Sequence, residues 1–329
     1  MKVTLLAGGV GGARFAAGLV DAAGAAALTV VGNVGDDLDV LGLHVSPDLD
    51  TVLYTLAGVG DLERGWGRAD ETWNALGTAE ELGGEAWFRL GDRDIGLHLV
   101  RTEALRRGEP LSAVIARLAA ACGLESLLLP ATDDRLRTWV DTPAGPLPFQ
   151  EWFVRRGHRD PVDGVRFEGA DAAAPAPGVL EALRDADLLL IAPSNPFVSI
   201  GPILAVPGIR EALLARSVPC VAVSPLIGGR AVKGPAADML ARLAGGTSPA
   251  QVTQCYLPET PGAQRPLEQV TQCYKPLIDV LVFDEADAAD AEAVAELGVR
   301  PLVTRTLMTD AAAARRLAEA ALEAGAVLR

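Results

Sequence analysis

The chain has 329 residues, half of them hydrophobic, and a formal net charge of −14. That length can bury a large core, and no uninterrupted apolar run approaches the roughly 20 residues needed to cross a bilayer. The acidic balance argues against nucleic-acid or anionic-membrane partners and leaves room for a small phosphorylated ligand held by local cations. Cys122, Cys220, Cys255 and Cys273 are scattered without a CxxC pair, which argues against a disulfide framework or a zinc site. Only Lys2, Lys233 and Lys275 are lysines, and arginine carries the remaining positive charge. Arg14 and several glycines break the apolar start, so it does not read as a signal peptide, and a cytoplasmic protein is expected.

The first strand is expected over Lys2–Ala7, followed by Gly8-Gly9-Val10-Gly11-Gly12-Ala13-Arg14 and a helix through Phe15–Val20. Strand, glycine turn and helix together aim free backbone N–H groups at an anion, usually a phosphate. The third glycine of a dinucleotide fingerprint would fall at Arg14, and no Walker A lysine follows. A second strand, Leu28–Val31, ends in Gly32-Asn33-Val34-Gly35-Asp36-Asp37. A nicotinamide-binding fold places one acid at this strand end for a ribose; two acids inside a glycine loop suit a hydrated metal or a ligand hydroxyl better. A nicotinamide dehydrogenase is therefore disfavoured. Pro47-Asp48-Leu49-Asp50-Thr51 follows, with Asp48 or Asp50 expected to cap the segment from Val52 to Leu56.

From about residue 58 to 178 the plain alternation lapses, and an inserted α+β subdomain is expected to cover the sheet edge. Within it lie Glu71-Thr-Trp73-Asn74 and Gly91-Asp92-Arg93-Asp94, then a helix capped by Asp94 in which His98 is an ordinary member. A second helix runs from Leu111 to Cys122 and stops at Gly123. Leu127–Thr132 leads into Asp133-Asp134-Arg135. A hairpin is expected to pair Arg137–Val140 with Pro148–Val154, and Trp152, Phe153 and Trp73 offer flat apolar surface. The core resumes at Asp187–Ala192, which opens into the proline-stiffened loop Pro193-Ser194-Asn195-Pro196 through Ser199 to Pro202. Pro219–Ser224 ends in Pro225–Arg230; Leu277–Phe283, a helix over Ala288–Leu297, Pro301–Thr304 and a helix capped at Thr309-Asp310 complete the chain. Gln251–Tyr256 recurs as Gln269–Tyr274, too short for a solenoid repeat, with a mobile linker expected between the copies. The fold class is α/β, a Rossmann-like three-layer, mostly parallel sheet; one domain spans 1–329, with the core at 1–57 and 179–329.

The glycine start, Asn33–Asp37, Pro47–Thr51, Gly91–Asp94, Asp133–Arg135, Pro193–Pro196 and Ser199–Pro202 together resemble the 2-phospho-L-lactate transferase family of coenzyme F-420 biosynthesis. The resemblance covers nearly the whole chain in order and departs from the family pattern only around 255–274. It implies attack by the terminal hydroxyl of the deazaflavin Fo on a guanosine-diphosphate-activated donor, releasing GMP and forming a phosphodiester to lactate or enolpyruvate. The composition favours the enolpyruvyl donor. It further implies nucleotide binding by Gly8, Gly9, Gly11, Gly12, Asn33, Ser194, Asn195, Pro196 and Ser199. Fo contacts are implied for Asp48, Asp50, Thr51, Trp73 and Asp92, Mg²⁺ ligands at Asp36, Asp37 and Asp50, and catalytic roles for Asp37, Asp50 and Arg14. Arg230 or Lys233 is a candidate clamp for the donor carboxylate. A homodimer is expected. The rival within the same superfamily is a non-catalytic nucleotide-sugar-binding regulator.

Overall fold

A computed structural model describes residues 1–61, 64–257 and 276–328. Its centre is one sheet of seven parallel strands, made from short apolar runs that are buried almost throughout. The spatial order is Arg300–Thr304, Val280–Asp284, Cys220–Val223, Leu188–Ile191, Val3–Ala7, Leu28–Gly32, Leu127–Pro130. From Val3–Ala7 the chain builds outward to one edge. It then returns to place Leu188–Ile191 on the other side of the first strand, in register Val3 with Leu188. The carboxyl ends of these two neighbours are the point where strand order reverses, and open α/β sheets bind ligands at such a point.

One strand departs from the expected division. Leu127–Pro130 lies inside the stretch read as an insertion, yet it pairs in parallel with Leu28–Gly32 as the sheet's edge. The rest of that stretch is peripheral. It includes helices Asn74–Glu81, Asp92–Arg106 and Leu111–Ala121 and a three-stranded antiparallel sheet. That small sheet corrects the expected hairpin. Arg137–Thr142 pairs with Gly145–Pro148 on one side and Gly164–Glu168 on the other, while Glu151–Arg155 is a wide helical turn. Trp152 and Phe153 belong to this turn. Trp152 is buried with its indole N–H donating to the Asp160 carbonyl at 2.9 Å, and Phe153 stacks on Phe149 at 5.4 Å. Trp152 belongs to the main hydrophobic core, with the half-buried Phe153 packed against it, so the Trp152 ring is not presented to a ligand. The second Gln-Val-Thr-Gln-Cys-Tyr copy and the linker before it lie outside the described residues. In the first copy Cys255 and Tyr256 pack into the main core.

The first helix, Gly9–Ala23, begins earlier than the spacing predicts, so Gly11 and Gly12 sit in its opening turn. Close approach explains both. A Cβ on Gly11 would stand 2.7 Å from the Pro193 carbonyl oxygen, and one on Gly12 would stand 2.9 Å from Ser194 Oγ. Gly9 is different: its φ of +68° demands glycine, and nothing lies within 4 Å on its open side. Further along, this helix crosses the closing helix Ala311–Ala326, which Asp310 caps through a 2.7 Å bond from the Ala313 N–H. At the crossing, a Cβ on Gly18 would meet the Ala314 carbonyl oxygen at 2.4 Å. Gly18→Leu must therefore drive the two helices apart, and about 1–3 kcal/mol of stability should be lost by denaturant unfolding. A variant as stable as the parent would show that the crossing relaxes freely.

Candidate functional site

The loops at the reversal point are tied to one another by a small polar knot. The Gly8 N–H donates to Ser194 Oγ at 3.3 Å, and the Ser194 hydroxyl donates back to the Gly8 carbonyl at 2.7 Å. The Gly9 N–H donates to Asp48 Oδ1 at 2.8 Å. Asn33 Nδ2 donates both to Asp48 Oδ2 at 2.9 Å and to the Val198 carbonyl at 3.1 Å, while its own oxygen takes the Gly35 N–H at 2.8 Å. Gly8 has no room for a Cβ between Asp48 and Ser199. The residues expected to form the nucleotide site thus converge, but through contacts with each other. Asn195 is a cap: its side-chain oxygen accepts the Phe197 N–H at 2.9 Å at the head of the helical turn Pro196–Ile200. The stiff loop expected there is the start of a helix. The amide of Asn195 reaches only the Met239 sulfur, a weak acceptor that leaves it open to a stronger one.

Four carboxylates crowd behind this knot, all buried: Asp36, Asp37, Asp48 and Asp50. Neither Asp48 nor Asp50 caps its helix, which begins at Pro47 and holds both in its first turn. Asp50 is gripped by the fully buried Arg101 through both guanidinium nitrogens, Nη1 at 2.9 Å and Nη2 closer still, with His98 Nδ1 3.8 Å away. A carboxylate so paired offers no lone pair cheaply to a metal, because withdrawing it strands a buried cation. Asp37 differs: Oδ2 accepts Ser46 Oγ at 2.8 Å and His44 Nε2 at 3.0 Å, while Oδ1 is buried with no partner. Asp36 Oδ1 is likewise buried and unpartnered. Burial, then the nearby Asp48 charge, hold the Asp36 carboxyl well above the usual carboxylate range. Burial lifts Asp48 to about 6, against the pull of its Asn33 and Gly9 bonds.

No three His, Cys, Asp or Glu side chains form a metal cage among the described residues. Mg²⁺ asks for less, since it is usually held by one or two carboxylates with waters and substrate phosphates completing the shell. The two orphaned oxygens of Asp36 and Asp37 fit that demand, and Asp50 does not.

Two clefts open nearby in the fold, the second of them reaching Asp37. One is lined by Val10, Arg14, Thr51, Tyr54, Asp61 and Trp66, among others. Arg14 lines it, and burial, then the nearby Arg14 charge, depress the Lys233 ammonium. Among the described residues their hydrogen bonds go to backbone carbonyls, Arg14 to Met308 at 3.2 Å and Lys233 to Arg64 at 3.0 Å. Arg230, the other candidate clamp, is exposed on a short hairpin. Trp73 stands edge-on to Trp66 at 6.2 Å, with Arg64 and Arg89 over its ring at 5.2 and 4.8 Å. Thr51 donates to the Pro47 carbonyl at 2.7 Å from inside the helix. The second cleft holds Asp37, His44, Asp133, Asp134, Arg135 and Arg137. Asp133 itself caps a helix by accepting from the Ser112 N–H at 2.6 Å, and Asp134 accepts the Ala174 N–H at 2.8 Å.

Asp92 is placed by structure before ligand. It sits in the first turn of its own helix, whose start at 92 puts Asp94 inside rather than at the cap. The Asp92 carboxylate accepts from Thr72 Oγ1 at 2.6 Å, Asn74 Nδ2 at 3.0 Å and the Ala75 N–H at 2.9 Å, and these bonds lower it to about 2. Glu71 answers by accepting the Arg93 and Asp94 N–H groups at 2.8 and 2.9 Å. Sequence reasoning missed Trp66, Arg64, His44 and Arg101. Only Arg101 carried a signal, as a basic residue one turn beyond His98 on a helix packed against acids.

These features define the class: a Rossmann-like α/β protein with an anion-ready cleft and a buried acidic cluster at its switch point. A match to the family described as 2-phospho-L-lactate transferase CofD spans residues 3–307. Full-length relatives include proteins named phosphoenolpyruvate transferase from Kitasatospora aureofaciens, 44% identical over 98% of this chain and 97% of the relative. Others come from Streptomyces coelicolor, 43% identical with 98% and 97% covered, and Mycolicibacterium smegmatis, 40% identical with 99% of each covered. A solved UPF0052-family protein from Bacillus halodurans has the same fold, with a TM-score of 0.62 at 17% identity and 98% of each chain covered. The chain belongs to the 2-phospho-L-lactate transferase family and is an enzyme of the transferase class. No helix among the described residues is long and apolar enough to cross a membrane.

Two outcomes follow from this electrostatic layout. Asp50→Asn should leave Arg101 buried without its countercharge and cost about 3–5 kcal/mol in denaturant unfolding; a loss below about 1 kcal/mol would mean that Arg101 finds another partner. Asp94 is the second case. Burial pushes its carboxyl up to about 6, against the neighbouring Tyr54 hydroxyl. The folded state therefore holds a proton that the unfolded chain releases near its ordinary value. The resulting stability is complete below about pH 4 and is lost as pH rises toward 6 and above. Asp94→Asn should flatten that part of the stability-against-pH curve, read by thermal melting from pH 4 to 7.

Proposed function

We propose that the protein moves a phosphoenolpyruvyl group from a guanosine-diphosphate-activated donor to the terminal hydroxyl of Fo, releasing GMP and giving dehydro coenzyme F-420-0. The observation that supports this most is the pair of Asp36 and Asp37 carboxyl oxygens buried without a hydrogen-bond partner among the described residues, together with a separate cleft lined by Arg14. Phosphoryl transfer needs that combination, because it asks for charge neutralisation and positioning rather than covalent work. A regulator that only binds nucleotide sugars has no use for costly buried acids. The full-length relatives named phosphoenolpyruvate transferase favour the enolpyruvyl donor over the lactyl one.

In this reading Asp36 and Asp37 hold Mg²⁺, which when bound neutralises charge developing on the transferred phosphoryl oxygens. Arg14 and Lys233 take the donor's diphosphate or carboxylate. The open side of Gly9 and the free amide of Asn195 meet the guanosine diphosphate, while Ser194, Asn33 and Ser199 hold the two loops at the right separation. Trp73 and Trp66, with Arg64 and Arg89, present a flat, electron-rich and cationic wall to the deazaflavin ring. The acceptor oxygen forms the new bond to phosphorus as the bond to the GMP phosphate oxygen breaks. A loose transition state asks little of a base, so the acceptor hydroxyl's proton passes to water as the transfer completes. Asp50 serves by fixing Arg101, and Asp48 by closing the helix start. The same reading has the enzyme work in the cytoplasm as a homodimer.

The test supplies Fo, Mg²⁺ and each donor separately and weighs the product. The dehydro product is lighter by two hydrogens, so it cannot be mistaken for the phospholactyl one. Turnover with the lactyl donor alone would reverse the donor choice, and none with either would sink the transferase reading. Asp37→Asn should lower kcat on the order of 10²-fold with little change in melting temperature.

A further inference from the structure

The sequence between the two acidic loops is a tight hairpin that the proposed reaction does not otherwise use. Leu38–Val40 pairs antiparallel with Leu43–Val45, and Leu41 and Gly42 both take positive φ, 50° and 77°, at the two-residue turn. One face of the hairpin sends Val40 and Val45 into a small core with Leu90. Strand alternation then points His44 the other way, toward the acids. Its backbone N–H is pinned to Thr102 Oγ1 at 2.8 Å, and its ring Nε2 donates to Asp37 Oδ2 at 3.0 Å. On the ring's far side Nδ1 lies 3.9 Å from Asp39, the residue paired with it across the hairpin.

We propose that His44 is the positioning residue of the proposed metal carboxylate: by anchoring Oδ2 together with Ser46, it turns the free Oδ1 of Asp37 into the site. This rests on the reading that Asp37 holds the cation. The geometry carries it. A carboxylate rotates about its Cβ–Cγ bond unless one oxygen is fixed, and two donors fix the same oxygen here while the other is left buried and bare. A donor behind a metal-binding group sets its orientation, and losing it generally weakens metal affinity about 10–100-fold. The hairpin exists, on this view, to carry one imidazole N–H. Its turn and its small hydrophobic core lock the strand so that the ring cannot swing away. His44 also lines the second cleft, together with Asp37, Arg135 and Arg137.

The experiment titrates Mn²⁺ into the ligand-free protein and reads bound metal by electron paramagnetic resonance, with thermal melting as the folding control. His44→Phe and His44→Asn remove a donor within reach of Asp37 and should weaken Mn²⁺ binding roughly 10–100-fold. His44→Gln restores an amide N–H at about the reach of Nε2 and should recover most of that loss. In an Asp37→Asn background the His44 substitutions should have no further effect, because the interaction they remove is already gone. If Asp37→Asn loses Mn²⁺ while His44→Phe and His44→Asn bind it as the parent does, His44 positions nothing, and the metal assignment stands. If Asp37→Asn binds Mn²⁺ like the parent, the metal assignment fails and the role of His44 falls with it.

Discussion

The site depends on one amide. Asn33 is buried at the end of the second strand and joins Asp48, Val198 and Gly35 through a single side chain. Asp48 passes that tie on to Gly9, so four separate chain segments are locked in register at the point where the sheet reverses. Each of those backbone groups would otherwise be an unsatisfied donor or acceptor under the loops, at about 1–3 kcal/mol apiece. The consequence is that the glycine start of the first helix is not a free anion cradle. Its first amide is already taken by Asp48, and only the positive-φ Gly9 leaves open space for an incoming group.

The same geometry concentrates negative charge where water is scarce. Four aspartates are buried together, and only Asp50 has an intimate cation in Arg101. The elevated carboxyls of Asp36 and Asp48 are the direct sign of that imbalance. A folded protein keeps such a cluster only where something outside the chain relieves it, or where its cost is the condition of function. Raised carboxyls and orphaned oxygens are therefore two views of one fact: the site is electrostatically incomplete. Arg14 and Lys233 are positive groups whose hydrogen bonds among the described residues go to backbone carbonyls. In the proposed reading, a ligand that is anionic at one end and metal-bound at the other would complete both.

The parallel sheet was legible because buried strands are apolar runs, and Val3–Ala7, Leu188–Ile191 and Cys220–Val223 contain almost nothing else. The loops at its carboxyl edge were legible for the same reason, since glycine, serine and aspartate cluster only where strands stop. What the sequence could not show was who already holds whom. Asp50 and Asp37 look alike in the chain, but Arg101, 51 residues on, neutralises one and leaves the other with a bare oxygen. Gly11 and Gly12 look like phosphate glycines, yet a loop 180 residues away occupies the space a Cβ would need. The strand Gly164–Glu168 was missed because a half-exposed edge strand has no apolar run to betray it.

Asp92 shows why a residue's role cannot be inferred from its prominence. Its carboxylate is exposed and accepts from Thr72, Asn74 and Ala75. Those three flank Trp73 on both sides. An acid that grips the backbone around an indole fixes where that indole can stand, and Glu71 returns the grip by closing the helix that carries Asp92. Asp92 thus caps the helix after Trp73 while Glu71, just before it, caps the helix that carries Asp92, and among the described residues the ring between them has no hydrogen bond of its own. If Trp73 meets the deazaflavin as proposed, removing Asp92 would therefore weaken its recognition even though the carboxylate does not touch it. Its motif is then legible as a device for aiming an aromatic face.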